Sequence, residues 1–414
     1  MAERIRVENK APVLILGGAA NALSLMRSFG RAGITVRACM SPHAALLSRY
    51  CDEAFPVPAG SKPEEYFDEL LRSGEYPQLK GSVLLVCGDD ALEYVARNHD
   101  ALAGDYLLER NDPKLVLELL DKQRTLEIAR DAGVPIPAFW NVARREDVDA
   151  ALHDHVVYPA ILKPHYSHLF QRIYGGKYAR VDDAGELRHM GYELIERGIG
   201  FMVCEMIPGP DDHNCSFYTY RDEQGRELFH FTKRCVRRYP MNEGSGTYQI
   251  TDVLPDVEAL ARQFFDALDF RGFGNLEFKR DERSGELKVI ECNTRFTAVQ
   301  EQLVQSGVES ALITYAHITG QPVEPIAGCE PLVAIWSPLT DLRAFRQARN
   351  ATGLSWGEWR KSMPHKKLVF PYFSSSDPKP FLALLWEDCK YFAGLARNRL
   401  GLGGGQKNIR ASKA

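Results

Sequence analysis

No two of the chain's nine cysteines stand at C-x-x-C spacing, and nine is an odd number. That argues against a disulfide framework and a cysteine zinc site, and the thiols read as the reduced ones of a cytoplasmic protein. No apolar run approaches the ~18 residues that suggest a membrane span. The first residues, MAERIRVENKAP, lack the apolar stretch of a signal peptide. Neither sign of charge dominates: 51 Lys and Arg against 55 Asp and Glu leave a net charge of −4. Nothing therefore draws the chain to nucleic acid, and no such partner is expected. What remains is a globular composition, 45% hydrophobic and 26% charged over 414 residues, with length for two or three domains.

The opening reads as a βαβ unit. Val13–Leu16 is an apolar strand, Ala22–Arg31 a helix closed by Gly33, and Ile34–Cys39 a second strand, so a parallel sheet is expected. A dinucleotide site is rejected. Gly17-Gly18-Ala19-Ala20-Asn21 is not G-x-G-x-x-G, and the second strand ends in Cys39-Met40-Ser41-Pro42 with no acidic residue. Ser61-Lys62-Pro63-Glu64 has the form of a capping box opening a helix. Val83–Cys87 is another strand, and Gly88-Asp89-Asp90 leads into a helix. A small-molecule pocket near Gly17–Asn21 and Asp89-Asp90 competes there with plain turn and capping chemistry.

Further on, Asp112-Pro113 starts a helical region reaching Ala132, with Lys122 in its middle and Gly133 as its stop. Tyr158–Pro164 (YPAILKP) places Lys163 at the end of a strand. A Gly-, Ser- and aromatic-rich stretch follows, with Lys177 beside Gly175-Gly176, and reads either as a mobile loop or as a long surface hairpin. Gly200–Ile207 is an apolar strand interrupted by Glu205, a carboxylate costly to bury without a partner. Lys233-Arg234 and Arg237-Arg238 form a basic run after a strand at Leu228–Phe231, and Val257–Leu268 reads as an amphipathic helix.

The organising stretch is Arg271–Arg295. Asn275–Lys279 and Glu286–Asn293 alternate around Asp281-Glu282-Arg283-Ser284-Gly285, the pattern of an antiparallel hairpin with a polar turn. Period-two alternation puts Asn275 and Glu277 on one face of the first strand, and Val289, Glu291 and Asn293 on one face of the second. If these faces coincide, two carboxylates and an amide oxygen converge, an oxygen set suited to Mg²⁺. Arg295 joins them if the strand continues, and could grip phosphate or carboxylate. The same alternation also fits any half-solvated hairpin.

Taken in order, Lys122, Lys163-Pro164, a Gly-rich loop, Glu205-x-Ile207, Asp212, Lys233, Glu277 and Glu291-x-Asn293-x-Arg295 resemble the ATP-grasp superfamily of ligases, most of all predicted carboxylate–amine ligases and D-aspartate ligase-like proteins. The resemblance spans roughly Asp112 to Gly320. It implies an α/β fold: a Rossmann-like pre-ATP-grasp domain (1–111), two α+β subdomains clasping ATP (112–200 and 201–328), and a C-terminal helical extension (329–414) with a disordered tail. It further implies that Lys122 and Lys163 contact ATP phosphates and adenine, with Lys177 a candidate alongside. Glu205 would take the adenine amino group, the backbone of Met206 and Ile207 the adenine edge, and Asp212 the ribose. Lys233 would face the terminal phosphates, Glu277, Glu291 and Asn293 would bind Mg²⁺ (two ions, with Mn²⁺ as a substitute), and Arg295 would steady the transferred phosphate. The implied reaction activates a small-molecule carboxylate as an acyl phosphate and couples it to an amine. A different acceptor, as in carboxylase-like or thiol ligases, is the alternative, and a non-catalytic ATP-binding regulator is disfavoured by the intact metal set.

Beyond Cys329, Trp336, Trp356 and Trp359 are expected in a helical, aromatic-rich segment, and Asp377-Pro378-Lys379-Pro380 resembles a motif of the same ligase group. Phe381–Leu400 reads as a helix with Phe381, Leu384, Leu385, Phe392 and Leu395 on one side. The expected role of that side is packing on the body or on a homodimer partner. Docking on a membrane, for which Lys390, Arg397 and Arg399 speak, is the minor alternative.

Overall fold

The computed structural model describes residues 10–399 apart from 155, 167–169, 171–172, 177 and 243, with backbone only over 391–399. Lys177 and the segment 401–414 thus lie outside the described residues, as do the side chains of Phe392, Leu395, Arg397 and Arg399. The described residues form two compact units. One takes those up to Glu109, Phe296–Val323, and those from Val369 onward; the other takes Arg110–Arg295 and Glu324–Leu368. The segment expected as a single extension from 329 is divided between the two.

The first unit carries a parallel sheet. Strands β1 (Val13–Leu16), β2 (Val36–Met40), β3 (Glu53–Pro56) and β4 (Val83–Val86) lie in the order β3-β2-β1-β4. Strands β1 and β4 are buried along their whole length, as the continuous apolar runs require. Gly17 and Gly18 both have positive φ, and a Cβ on Gly18 would lie 2.5 Å from that of Cys87. Close chain approach accounts for this glycine pair. Asn21 is equally committed locally: its amide nitrogen donates to the Cys87 and Phe296 carbonyls at 2.8 and 2.9 Å.

The expected capping box at Ser61 does not form. Lys62 is the N-cap of helix Pro63–Arg72 and no side chain caps it. Proline is pre-set for the first helical position, so Pro63 places the helix start one residue later than a Ser61 cap would need. In the Asp377-Pro378 motif, the buried Asp377 carboxylate accepts from Arg27 Nε at 3.0 Å, Ser48 Oγ at 2.7 Å and the Arg49 amide at 3.0 Å. The last helix runs Lys379–Arg399. On it Leu382, Leu385 and Trp386 are 55%, 40% and 63% exposed. Among the described residues no helix is long and apolar enough to cross a membrane.

The described residues of the second unit form two sheets. Strands β5 (Phe139–Val142), β6 (Ala160–Pro164), β7 (Ala179–Val181) and β8 (Phe201–Glu205) take the order β5-β8-β6-β7. The larger sheet runs β13-β12-β9-β10-β11-β14-β15, from β9 (Asn214–Arg221), β10 (Glu227–Tyr239), β11 (Ser245–Thr251), β12 (Gly272–Arg280), β13 (Leu287–Asn293), β14 (Val333–Trp336) and β15 (Lys367–Val369). Leu276, Phe278, Val289 and Cys292 of the β12–β13 hairpin join Met202, Phe217, Phe264 and Phe265 in one core. That burial fixes which hairpin face is left for chemistry.

Three sequence expectations need correction here. The region 112–132 is two helices, Pro113–Leu120 and Lys122–Asp131; extended Asp121 caps the second by accepting from the Gln123 and Arg124 amides. Lys122 is therefore the first residue of a helix, because an aspartate side chain competes for backbone donors better at a cap than inside a helix. The basic run does not follow a strand but lies within β10, which continues to Tyr239. Trp336 ends strand β14, paired with Tyr248 of β11, and is not helical; Trp356 and Trp359 do sit on a helix.

Candidate active site

The hairpin register brings the candidate ligands together. Asn275 lies opposite Asn293 and Glu277 opposite Glu291. Glu277 also faces Ser216 of β9, and Ser216 faces Lys233 of β10. One rung across four strands thus reads Lys233–Ser216–Glu277–Glu291, with Asn293 and Asn275 on the next. Residues in register on adjacent strands share a face, so a buried lysine, two carboxylates and two amides project to one side.

Val289 does not belong to that side. Phe278 pairs with Val289 while Glu277 pairs with Glu291, so Ile290 is an extra residue in β13. A bulge of this kind reverses the alternation beyond it. Val289 turns into the core, and Lys288, opposite Lys279, turns to the functional face. The bulge also aims a carbonyl. Lys163, at the end of β6 and only 7% exposed, donates from Nζ to the Ile290 carbonyl oxygen at 2.6 Å. Burial first, then the neighbouring Lys122 ammonium, holds the Lys163 amine below its ordinary pKa, with Glu291 and Glu277 among the groups opposing. Lys122 itself forms an ion pair and hydrogen bond with Glu291. Lys233 donates to Gln249 Oε1 at 2.7 Å; burial lowers its pKa, opposed mainly by Glu277.

A second polar cluster surrounds Glu205, at the end of β8. Its carboxylate accepts from the Ala138 amide at 3.1 Å, from Lys288 Nζ at 3.1 Å and from the Arg283 guanidinium. Burial pushes this carboxyl up, but those three donors outweigh it and hold it below the usual range. Asp281 braces the same two cations, accepting from Arg283 at 2.7 Å and Lys288 at 3.0 Å. Met206 and Ile207 follow directly after β8, Ile207 being buried.

The remaining expected residues are less closely integrated. Asp212 is exposed in a short turn; its neighbour Asp211 is the one that accepts from the Arg238 and Asn242 amides at 3.2 and 3.0 Å. Arg295 is half buried, but β13 ends at Asn293, so strand alternation does not place it beside the ligands. Sequence reasoning assigned no role to Ser216, Lys279, Arg283 or Lys288. Lys279 was findable by alternation from Glu277. Lys288 was not, since only the bulge brings it round. Among the described residues, no group of three or more His, Cys, Asp or Glu side chains could hold a metal ion. The hairpin's donor set is two carboxylates supplemented by amide oxygen.

No protein-family model matches the chain. The chain is 23% identical over 316 residues to a D-aspartate ligase of Enterococcus faecium, covering 71% of this chain and 73% of that one. It is 26% identical over 210 residues to D-alanine--D-alanine ligase B of Chromobacterium violaceum, covering 48% of this chain and 65% of that one. In structure it is similar to the biotin carboxylase domain of Hydrogenobacter thermophilus 2-oxoglutarate carboxylase, with a TM-score of 0.60 at 16% identity, covering 76% of this chain and 71% of that one. The chain thus shares its fold with a biotin carboxylase domain, and its sequence is similar to those of two amino-acid ligases.

Proposed function

We propose that this protein is an ATP- and Mg²⁺-dependent ligase that activates a carboxylate as an acyl phosphate and joins it to an amine. The observation that carries the reading is the rung Lys233–Ser216–Glu277–Glu291, with Lys122 bound to Glu291 and Lys163 to the adjoining bulge. Cations and carboxylates gather there on one face, as a polyphosphate and its counter-ion require. The solved 2-oxoglutarate carboxylase domain is described as a complex with MgADP and bicarbonate, which supports nucleotide and Mg²⁺ at this fold. The amine acceptor is favoured because both sequence relatives are amino-acid ligases.

In this reading Lys122, Lys163 and Lys233 contact ATP, with Lys177 a further candidate. Burial lowers the pKa of Lys163 and Lys233, and an anion placed against either ammonium opposes that shift, so phosphate and ammonium stabilise each other. Glu205, fixed by three donors, retains lone pairs to accept the adenine amino group. The backbone of Met206 and Ile207 meets the adenine edge, and Asp212 the ribose. Glu277, Glu291 and Asn293 suit Mg²⁺: all offer hard oxygen donors, and Glu291 already holds a cation in Lys122. Bound there, the metal supplies charge neutralisation at the phosphates. The γ-phosphoryl passes from ATP to a carboxylate oxygen, leaving ADP. The amine then attacks the acyl carbon, and inorganic phosphate departs as the C–N bond forms. Arg295 steadies the transferred phosphoryl group. Positioning and electrostatics do most of the work in such a transfer.

The test is phosphate release from ATP and Mg²⁺ with panels of amino acids and other carboxylates, amines and thiols, followed by mass analysis of products. An amide product, lost with Glu291→Ala, is the expected result. Turnover with thiols alone, or full activity in Glu291→Ala, would overturn the reading.

A further inference from the structure

We infer that Asn275, buried at 0% exposure beneath the proposed metal ligands, is a positioning residue that sets which end of the Asn293 amide faces the cation. This rests on the metal reading above and adds to it a residue that touches neither nucleotide nor ion.

The inference follows from donor and acceptor logic, starting at a group with no choice. The Phe217 backbone carbonyl can only accept, and Asn275 Nδ2 lies 3.2 Å from it. The nitrogen of the Asn275 amide must therefore face β9, which turns its oxygen toward β13. That oxygen lies 3.2 Å from the Asn293 side chain, opposite in register, and an oxygen needs a donor. Asn293 must present its NH₂ group there. Glu291 Oε1, 3.4 Å away, pulls on the same NH₂ group. Two acceptors thus hold the Asn293 nitrogen on the inner side, and Asn293 Oδ1 is left as the atom to offer a hard cation. With the amide reversed, oxygen would face oxygen inside and NH₂ would face the metal. The Phe217–Asn275 and Asn275–Asn293 links run from strand to strand across β9, β12 and β13, and the Glu291 link lies within β13, so the sheet itself sets the amide. Orienting partners of this kind commonly contribute 10- to 100-fold to metal affinity.

The experiment measures ADP affinity with and without Mn²⁺ on full-length protein by isothermal titration. The wild type should bind ADP more tightly with Mn²⁺. Asn275→Leu fills the same space with no acceptor; it should lose about 10-fold or more of that metal-dependent gain while metal-free affinity stays within about threefold. Asn293→Ala should lose the gain to a similar extent, and the double variant should lose no more than the larger single loss. Asn275→Asp, kept neutral by its full burial, donates its O–H to the Phe217 carbonyl and keeps an oxygen toward Asn293; it should keep the gain within about threefold, so it remains informative if the leucine variant does not fold. An unchanged gain in Asn275→Leu, equal losses with and without metal, or loss of the gain in a folded Asn275→Asp would each overturn the inference. Absence of any Mn²⁺ effect in the wild type would instead overturn the metal reading beneath it.

Discussion

Two carboxylates on or against the larger sheet of the second unit illustrate the difference between holding a fold and serving a ligand. Asp341, 0% exposed, accepts from Arg237 Nε and Nη2 at 2.8 and 3.0 Å, from Thr247 at 2.8 Å, and from the Trp336 and Trp359 indoles at 3.1 Å each. A carboxylate has about four lone-pair sites, so Asp341 has no capacity left for anything new. Glu291 pairs with Lys122 and lies near Asn293, and its side chain is 22% exposed. It is held by a flexible ammonium that an incoming cation and phosphate can jointly displace. Both residues are acidic and both are paired, yet only the second can exchange partners.

The comparison predicts opposite signatures on mutation. Asp341→Ala should destabilise the protein by about 3–5 kcal/mol in chemical denaturation, since it strands the buried Arg237 guanidinium. Glu291→Ala should leave stability within about 1 kcal/mol, a partly exposed pair being worth little. Its turnover should nonetheless fall by on the order of 100-fold or more, as expected for loss of a metal ligand. If the two variants behave alike in both assays, the distinction is wrong.

Asp281 sits between these extremes. The Arg283 side chain first, then the Arg283 amide and Lys288, hold its carboxyl below the usual range against the opposing effect of burial. A depressed carboxyl stabilises the fold above the unfolded value near 3.9 and loses that contribution as pH falls through the folded value. Asp281→Asn should cost about 1–3 kcal/mol at neutral pH. It should also flatten the acid limb of a stability-versus-pH curve below about pH 4; an unchanged acid limb would deny Asp281 that role. The smallest effect is expected at Arg97–Glu93, an exposed pair at helical spacing. Arg97→Ala should change stability by less than about 0.5 kcal/mol, and less still in high salt.

Much of the site was legible in the sequence because strands write their faces in alternation. Glu277 and Asn275 could be placed together from spacing alone, as could Glu291 and Asn293, and the structure sets the two pairs opposite one another. The parallel first sheet was equally visible in its apolar runs. What could not be read depended on contacts between segments distant in sequence. Nothing local marks Ile290 as an added residue, so Val289 was assigned to the wrong face and Lys288 was overlooked. The break at Asp121 was hidden because the apolar pattern continues through it. Trp336 looked helical in an aromatic-rich stretch, and only pairing with Tyr248 makes it a strand residue.

The extra residue at Ile290 also bears on how this gene can change. In the turn 281–285 a gain or loss of one amino acid alters a polar loop tip. A single-codon deletion at Ile290 would leave the faces as they are, Val289 inward and Lys288 on the functional side, but it would straighten the strand and withdraw the oxygen on which Lys163 rests. Length at that one point is therefore under tighter constraint than the identity of the side chain that occupies it.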